Sequence, residues 1–311
     1  MNNKGPVLIT GTSTGIGRKI TEFLASKGIP VYATARKASD IDSLNSLKNV
    51  YAFKLDVTDP EQVQQLTKRV EEEGKGLYGL VNNAGTIDIW PILATDEQIL
   101  KHVFNVNVFG PHRVTRALIT HLVESSGRIV NISSASGLAT PLNGGAYSMS
   151  KYAVEAFSNA LMHELRNYGV GVSVIEPTSF KSNIILKAVP DIKRRARKSD
   201  TGMHKKEIES FGTSLDQIVQ QIANMPSPDK VAEACWDALF SKKPKRRYFV
   251  TVSPLVFKQG LKSLLTVVSQ IYQDNEHGIT VKDLHSLLDS VLEEQEEYVR
   301  SSADWKDLEE E

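Results

Sequence analysis

Short apolar runs rich in Val and Ile alternate with helix-length segments along most of the chain, and this rhythm restricts the fold more than any other feature. The runs are VLIT (7–10), VYAT (31–34), VYAFKL (50–55), LYGLV (77–81), RIVNIS (128–133), VGVSVIE (170–176) and RYFVTV (247–252). Between them lie segments 15–27, 60–73, 96–124, 146–168 and 228–240, whose lengths and periodicity suit helices. Runs without strict polar alternation belong to strands covered on both faces, and a regular βα order requires crossover connections. The sequence therefore predicts an α/β fold built on a doubly wound parallel sheet.

Two regions break the rhythm. Residues 183–228 are too long for an ordinary connection and contain the basic cluster KRRARK (193–198), whose simplest reading is a solvated helix face. Residues 253–311 form a C-terminal helical extension in which Leu284, Leu287, Leu288, Val291 and Leu292 recur at helical spacing before an acidic tail. The expected division is a catalytic domain over 1–252, with 183–228 as a lid over the substrate, followed by the extension at 253–311.

Composition removes several classes of function. The chain has 37 Lys and Arg against 37 Asp and Glu, so no overall field favours nucleic acid or an anionic membrane. One cysteine, Cys235, forms no internal disulfide framework and suits a reducing compartment; within VAEACWDALF it reads as a buried apolar residue. No stretch approaches eighteen uninterrupted apolar residues, and the first apolar run begins within a few residues of Met1, so the expectation is a cytoplasmic protein with no integral membrane segment. The seven histidines fall in no metal-binding pattern, and no metal site is expected.

VLITGTSTGIG sets Gly11, Gly15 and Gly17 between the first strand and a helical pattern. Glycines there allow a tight turn and let backbone N–H groups approach a diphosphate at the positive end of a helix. This strand–loop–helix context points to a Rossmann-type dinucleotide site, although the spacing is not the GxGxxG of many dehydrogenases. Tyr147 and Lys151, four residues apart, share one helix face. Alone they are an ordinary surface pair; beside a bound substrate they form an acid–base pair in which the ammonium lowers the phenol's pKa.

Taken together, TGxxxGIG (10–17), LDV (55–57), NNAG (82–85), NVFG (107–110), NISS (131–134) and YxxxK (147–151) occur in the order and at the intervals of the short-chain dehydrogenase/reductase family, which the chain resembles over residues 5–182. The resemblance implies an NAD(P)-dependent enzyme with a catalytic set of Asn107, Ser134, Tyr147 and Lys151. In that reading Ser134 orients the substrate oxygen, with neighbouring Ser133 as the structural alternative. Asn107, rather than nearby Asn105, holds a water between the lysine and solvent. Lys151 also contacts the nicotinamide ribose. The cofactor would be held by Gly11, Ser13, Thr14, Gly15, Ile16 and Gly17 of the loop, and by Arg36, Asp56, Val57, Asn83, Ala84, Gly85, Tyr147, Lys151, Pro177 and Ser182. Asp56 stays open between an adenine ligand and a turn residue. The segment EPTSFKSN (176–183) departs from the family pattern: Thr178 stands for a glycine and Ser182 for a threonine, which puts the local turn in doubt.

Ala35 stands where NAD-preferring relatives carry an Asp, and Arg36 follows, so NADP(H) is expected over NAD(H), with a solvated Arg36 as the alternative. VYATAR and KPKRRYFV resemble the hydroxysteroid and retinol dehydrogenase branch, which implies a hydrophobic alcohol or carbonyl substrate. A reductase of small polar ketones or sugars, and a dinucleotide-binding sensor without turnover, remain as rivals. The segments 104–124 and 146–168 match those that pair in the family's common interface, so a homodimer is expected.

Overall fold

The computed structural model describes residues 4–198, 208, 217, 219–222, 224–273 and 278–304. Among them, seven parallel strands form one sheet: β1 (Val7–Ile9), β2 (Val31–Ala35), β3 (Val50–Lys54), β4 (Gly79–Asn82), β5 (Arg128–Ile132), β6 (Gly171–Pro177) and β7 (Arg247–Val250). Their order is β3-β2-β1-β4-β5-β6-β7, with Val7 in register with both Val31 and Gly79. The chain reverses its direction of growth between β1 and β4. In an open parallel sheet that reversal opens a crevice beyond the carboxyl ends of the strands.

The alternation of side chains along β1 divides the core. Val7 and Ile9 face one layer, where Ile20 and Leu24 of α1 (Gly15–Ser26) meet Val231, Cys235 and Leu239 of α8 (Asp229–Phe240). Leu8 faces the other layer, among Leu66 and Val70 of α3 (Pro60–Glu73), Leu118 and Leu122 of α5 (Gly110–Glu124) and Leu161 of α6 (Gly145–Glu164). Cys235 is fully buried, and burial pushes its thiol pKa up. Local signals set the helix ends: the Asp59 carboxylate accepts from the N–H groups of Glu61 and Gln62, Pro60 occupies the first turn of α3, and Gly74 closes it in the left-handed conformation. A short helix, α2 (Ala38–Asn45), follows β2 where the periodicity gave no signal.

The segment 96–124, expected as one helix, is interrupted. It contains α4 (Glu97–Phe104), a widened turn over Asn105–Phe109 in which Gly110 N donates to Asn105 O, and then α5. Similarly, 146–168 resolves into α6 and a short turn over Arg166–Tyr168.

The region after β6 begins with α7 (Asn183–Lys198), which carries Pro190 within it. Val189 and Ile192 pack with Trp90 and Ile208 in a third apolar cluster. The basic cluster is not the solvated face expected from sequence. Arg195 is largely buried: its guanidinium lies 4.7 Å over the Trp90 ring, pairs with the buried Asp88, and reaches Asp191 at 2.9 Å. Arg194 does remain exposed. Much of 199–223 lies outside the described residues, as does the end of the acidic tail.

Two further helices follow β7: α9 (Pro254–Gln273) and α10 (Val281–Asp304). Phe257 of α9 stacks edge-on against Phe249 at 5.6 Å. The helical spacing expected for Leu287, Leu288, Val291 and Leu292 is present, yet all four are exposed. No helix among the described residues is long and apolar enough to cross a membrane.

Candidate functional site

The crevice at the carboxyl ends of β1 and β4 widens into a cavity of about 750 Å³. Its floor is the loop between β1 and α1. Gly11 has φ +70°, a backbone conformation that side chains disfavour, and a Cβ there would lie 2.8 Å from Ala84 Cα. At Gly17 a Cβ would come within 2.5 Å of Gly11 O and closer still to Asn83 Nδ2. The loop thus folds tightly against the segment after β4, and side-chain hydrogen bonds hold it there. Asn83 Nδ2 donates to Thr10 O at 2.8 Å and Gly11 O at 3.0 Å, while Thr10 Oγ1 accepts from the N–H groups of Asn83 and Ala84 at 3.0 Å.

No side chain caps α1, and its first turn contains no acidic residue, so its N–H groups are left for another acceptor. A bare glycine cradle under an uncapped helix start suits the diphosphate of a dinucleotide. The residues present suit that group.

Ser13, Thr14, Ile16, Arg36, Val57, Gly85 and Pro177 line this cavity, together with Gly11, Gly17, Asp56, Asn83 and Ala84. Gly15 does not; its Cα faces Ser182, whose Oγ would lie 2.9 Å from an added Cβ. Ser182 also accepts from Ile184 N at the start of α7, so its hydroxyl lies between the glycine loop and α7. Asp56 does hold a turn: its Oδ1 accepts from the amide and hydroxyl of Thr58, while its Oδ2 lies 3.8 Å from Arg36 Nη1. The true cap of α3 is Asp59. Thr178 creates no strain in place of glycine, because it takes no positive φ and its N–H donates to Val250 O, extending the β6–β7 pairing.

Tyr147, Ser134 and Lys151 line one wall of the same cavity. Ser134 ends the β5 segment and Tyr147 starts α6, and the serine hydroxyl lies against the phenol. Lys151 Nζ donates to Ile132 O at 2.9 Å and sits 5.6 Å from the centre of the Tyr147 ring. Burial lowers the Lys151 pKa to about 8, opposed by the nearby Glu155 carboxylate. The expectation that this lysine depresses the tyrosine is not met. Burial pushes Tyr147 up to about 12, against only the Ser134 hydroxyl, so Tyr147 is a neutral phenol at physiological pH.

Asn107 lies behind the cavity wall, 1% exposed, and does not line it. Its Nδ2 donates to Thr86 O and Ser150 Oγ, both at 2.9 Å, and its Oδ1 accepts from Thr86 N at 2.8 Å. Ser150 in turn donates to Tyr147 O. The side chain of Asn107 is fully used in bracing the first turn of α6 against the segment that follows NNAG. Sequence reasoning missed Thr10, Thr86, Ser150 and Glu155. Of these, Glu155 was accessible as the next residue on the Tyr147–Lys151 helix face.

Residues 6–192 match the family model described as short chain dehydrogenase. The chain is 34% identical over 265 residues to an NADPH-dependent 3-dehydrocapnine reductase of Ornithobacterium rhinotracheale, covering 82% of this chain and 90% of that protein. It is 33% identical over 256 residues to human retinol dehydrogenase 5, covering 78% and 79%. Among solved structures, a short-chain dehydrogenase from Streptomyces avermitilis superposes with a TM-score of 0.69 at 27% identity, over 87% of this chain and 94% of that one.

Proposed function

The chain belongs to the short-chain dehydrogenase family of oxidoreductases, and we propose that it uses NADP(H) to interconvert an alcohol and a ketone or aldehyde on a hydrophobic substrate. The observation that carries this reading is the convergence of Tyr147, Ser134 and Lys151 on a cavity whose floor is the glycine loop. A nicotinamide dinucleotide, when bound, supplies or accepts the hydride. It would be held by the loop from Gly11 to Gly17, by Asn83 to Gly85, by Asp56 and Arg36 at the adenosine end, and by Lys151, Pro177 and Ser182 towards the nicotinamide.

In the reductive direction, Ser134 hydrogen-bonds the substrate oxygen and Tyr147 gives that oxygen its proton as the carbonyl carbon gains hydride. The carbonyl double bond becomes a single C–O bond, and the tyrosine is left as a phenolate. The Lys151 ammonium and the Ser134 hydroxyl stabilise that anion until solvent returns a proton. A neutral phenol before the reaction suits a proton donor. The rest of the cavity supports a hydrophobic substrate, since Ile185, Ile222, Met225, Phe249 and Val256 line it, and one relative is named for retinol. Incubation with a panel of steroid, retinoid, acyl and small polar carbonyls, with nicotinamide absorbance as the readout, tests the proposal. Turnover confined to the small polar members would overturn the substrate class, and no turnover at all would favour a sensor.

NADP(H) preference rests on the end of β2. Ala35 carries no carboxylate to repel a 2′-phosphate, and the Arg36 side chain is 69% exposed at the cavity edge, paired only at 3.8 Å with Asp56. A charge-assisted hydrogen bond is worth roughly 1.5–3 kcal/mol, so Arg36→Ala is expected to weaken NADPH about ten- to a hundredfold and to spare NADH. Ala35→Asp should move the preference towards NADH. Comparing kcat/KM for both cofactors decides it, and a wild type that favours NADH would overturn the assignment. The relative named as NADPH-dependent supports this reading.

The same family reading includes a homodimer. Phe109, Met149 and Tyr152, at the start of α5 and along α6, are all exposed large side chains on the expected pairing surface. Light scattering at micromolar concentration is expected to give twice the chain mass, and a monomer would contradict it.

A further inference from the structure

Behind the reactive wall, away from the substrate, three charged groups meet where α6 crosses β6 and β7, one helical turn from Lys151. Glu155 follows Lys151 by one helical turn, and its side chain is 9% exposed. Its Oε2 lies 2.6 Å from Arg247 Nη1. The same guanidinium nitrogen pairs with Glu176 Oε1, and Glu176 is completely buried. Among the described residues, Glu155 Oε1 and Glu176 Oε2 have no hydrogen-bond partner. One guanidinium therefore serves two buried carboxylates, and it neutralises only one of them.

Building on the proton-transfer reading above, we propose that Glu155 and Arg247 are positioning residues for the reaction: Ile132 O holds the Lys151 side chain in place, and this ionic array, one helical turn behind it, keeps it an ammonium. The two carboxylates, Arg247 and Lys151 sum to zero charge only while Lys151 is protonated. Loss of that proton leaves a net negative charge in a poorly solvated site, which is costly. The array is also built into the working parts of the site. Glu176 immediately precedes Pro177 at the cavity. Glu155 lies beside Ser133, the neighbour of Ser134, and Gly137 lets that loop close, since a Cβ there would lie 2.9 Å from Ser133 Oγ and 3.1 Å from Glu155 Oε1.

Other charged groups leave the assignment unchanged. On the elements packed against α6, α4 carries Glu97, Lys101 and His102. Glu97 and Lys101 form an exposed pair with each other, and only His102 lines the cavity. Arg166 lies beyond the far end of α6, and Tyr147 is neutral. Burial raises the Glu155 pKa, while Ser133, Arg247 and Lys151 draw it back towards the ionised form. Arg247 thus acts on Lys151 through Glu155.

The sign of the expected pH effect follows. The Lys151 cation is present below a pKa of about 8 and is lost as pH rises. Removing the Glu155 charge removes the group that raises this pKa, so the cation is lost at lower pH. In Glu155→Gln, the NMR titration of the Lys151 Cε carbon in the free protein, assigned with Lys151→Arg, is expected to move at least one unit towards acid, a tenfold change in protonation equilibrium. The alkaline limb of kcat/KM should move with it, and Glu155→Asp should restore both. Arg247→Gln should shift Lys151 in the same direction, because Glu155 then takes up a proton, and it tests the array independently if Glu155→Gln does not fold. A folded Glu155→Gln protein with wild-type Lys151 titration would overturn the proposal, as would lost activity with an unmoved limb, the mark of a purely structural residue. If wild type reduces no carbonyl, the functional reading fails, while the Lys151 titration still tests the array.

Discussion

Tyr147→Phe is expected to lower kcat about a hundred- to ten-thousandfold while leaving the Kd for NADPH near that of wild type. The substitution removes one oxygen and keeps the ring, so the packing at the start of α6 is retained. What disappears is the only phenol among the described residues of the reactive wall, and with it the proton that the proposed mechanism gives to the substrate oxygen. Ser134 cannot replace it, because an ordinary serine hydroxyl is a far weaker acid than a phenol. Lys151→Ala should instead impair both kcat and cofactor affinity, since in the proposed mechanism Lys151 serves the phenolate and the ribose together. Stopped turnover with intact NADPH binding, measured by fluorescence titration, is the expected signature for Tyr147→Phe. Near-wild-type turnover would remove Tyr147 from the mechanism.

Gly17→Ala is expected to abolish measurable NADPH binding and to lower the urea unfolding midpoint. Glycine to alanine inside a helix ordinarily gains about 1 kcal/mol from propensity, so any net loss at this position isolates the contact. The added methyl would press on Gly11 O and on the Asn83 amide that clasps Thr10 and Gly11. Overpacking of this kind costs about 1–3 kcal/mol, and the strain falls on the Gly11 backbone as well as on an Asn83 amide tied down by its own hydrogen bonds. Relief requires Gly11 and Asn83 to draw back from the start of α1, which breaks the clasp that shapes the glycine cradle. A wild-type midpoint together with wild-type NADPH affinity would show that the loop has more room than its geometry allows.

The parts of the site written in local spacing were legible before any coordinates. The glycine loop, the strand ends at Asn83 and Ser134, and the Tyr147–Lys151 helix face depend on residues within a few positions of each other, where the periods of helix and strand apply. Features fixed across the fold were not. Arg195 reads as one of five basic residues in a run, and only Asp88 and Trp90, a hundred residues earlier, take it out of solvent. The Tyr147 pKa illustrates the same limit in energy: the charge that favours phenolate is visible in sequence, while the burial that outweighs it is a property of the assembled wall. The break at Asn105 was hidden because apolar residues continue at helical spacing on both sides of it.

That break makes residue count, and not residue identity alone, a condition for the site. A turn closed from Asn105 O to Gly110 N holds one more residue than an α-helical turn of the same rise. Deleting any one residue between Asn105 and Phe109 would let α4 and α5 join as a continuous helix, every polar group of the segment then facing a different direction. Asn107 would leave Thr86 and Ser150, and the first turn of α6 would lose its brace. Surface connections such as the one through Gly74 and Gly76, where an added Cβ meets nothing within 4 Å, tolerate changes in length. The chain between α4 and α5 therefore measures out the site in whole residues, and a gap there would remove function even if every named side chain were kept.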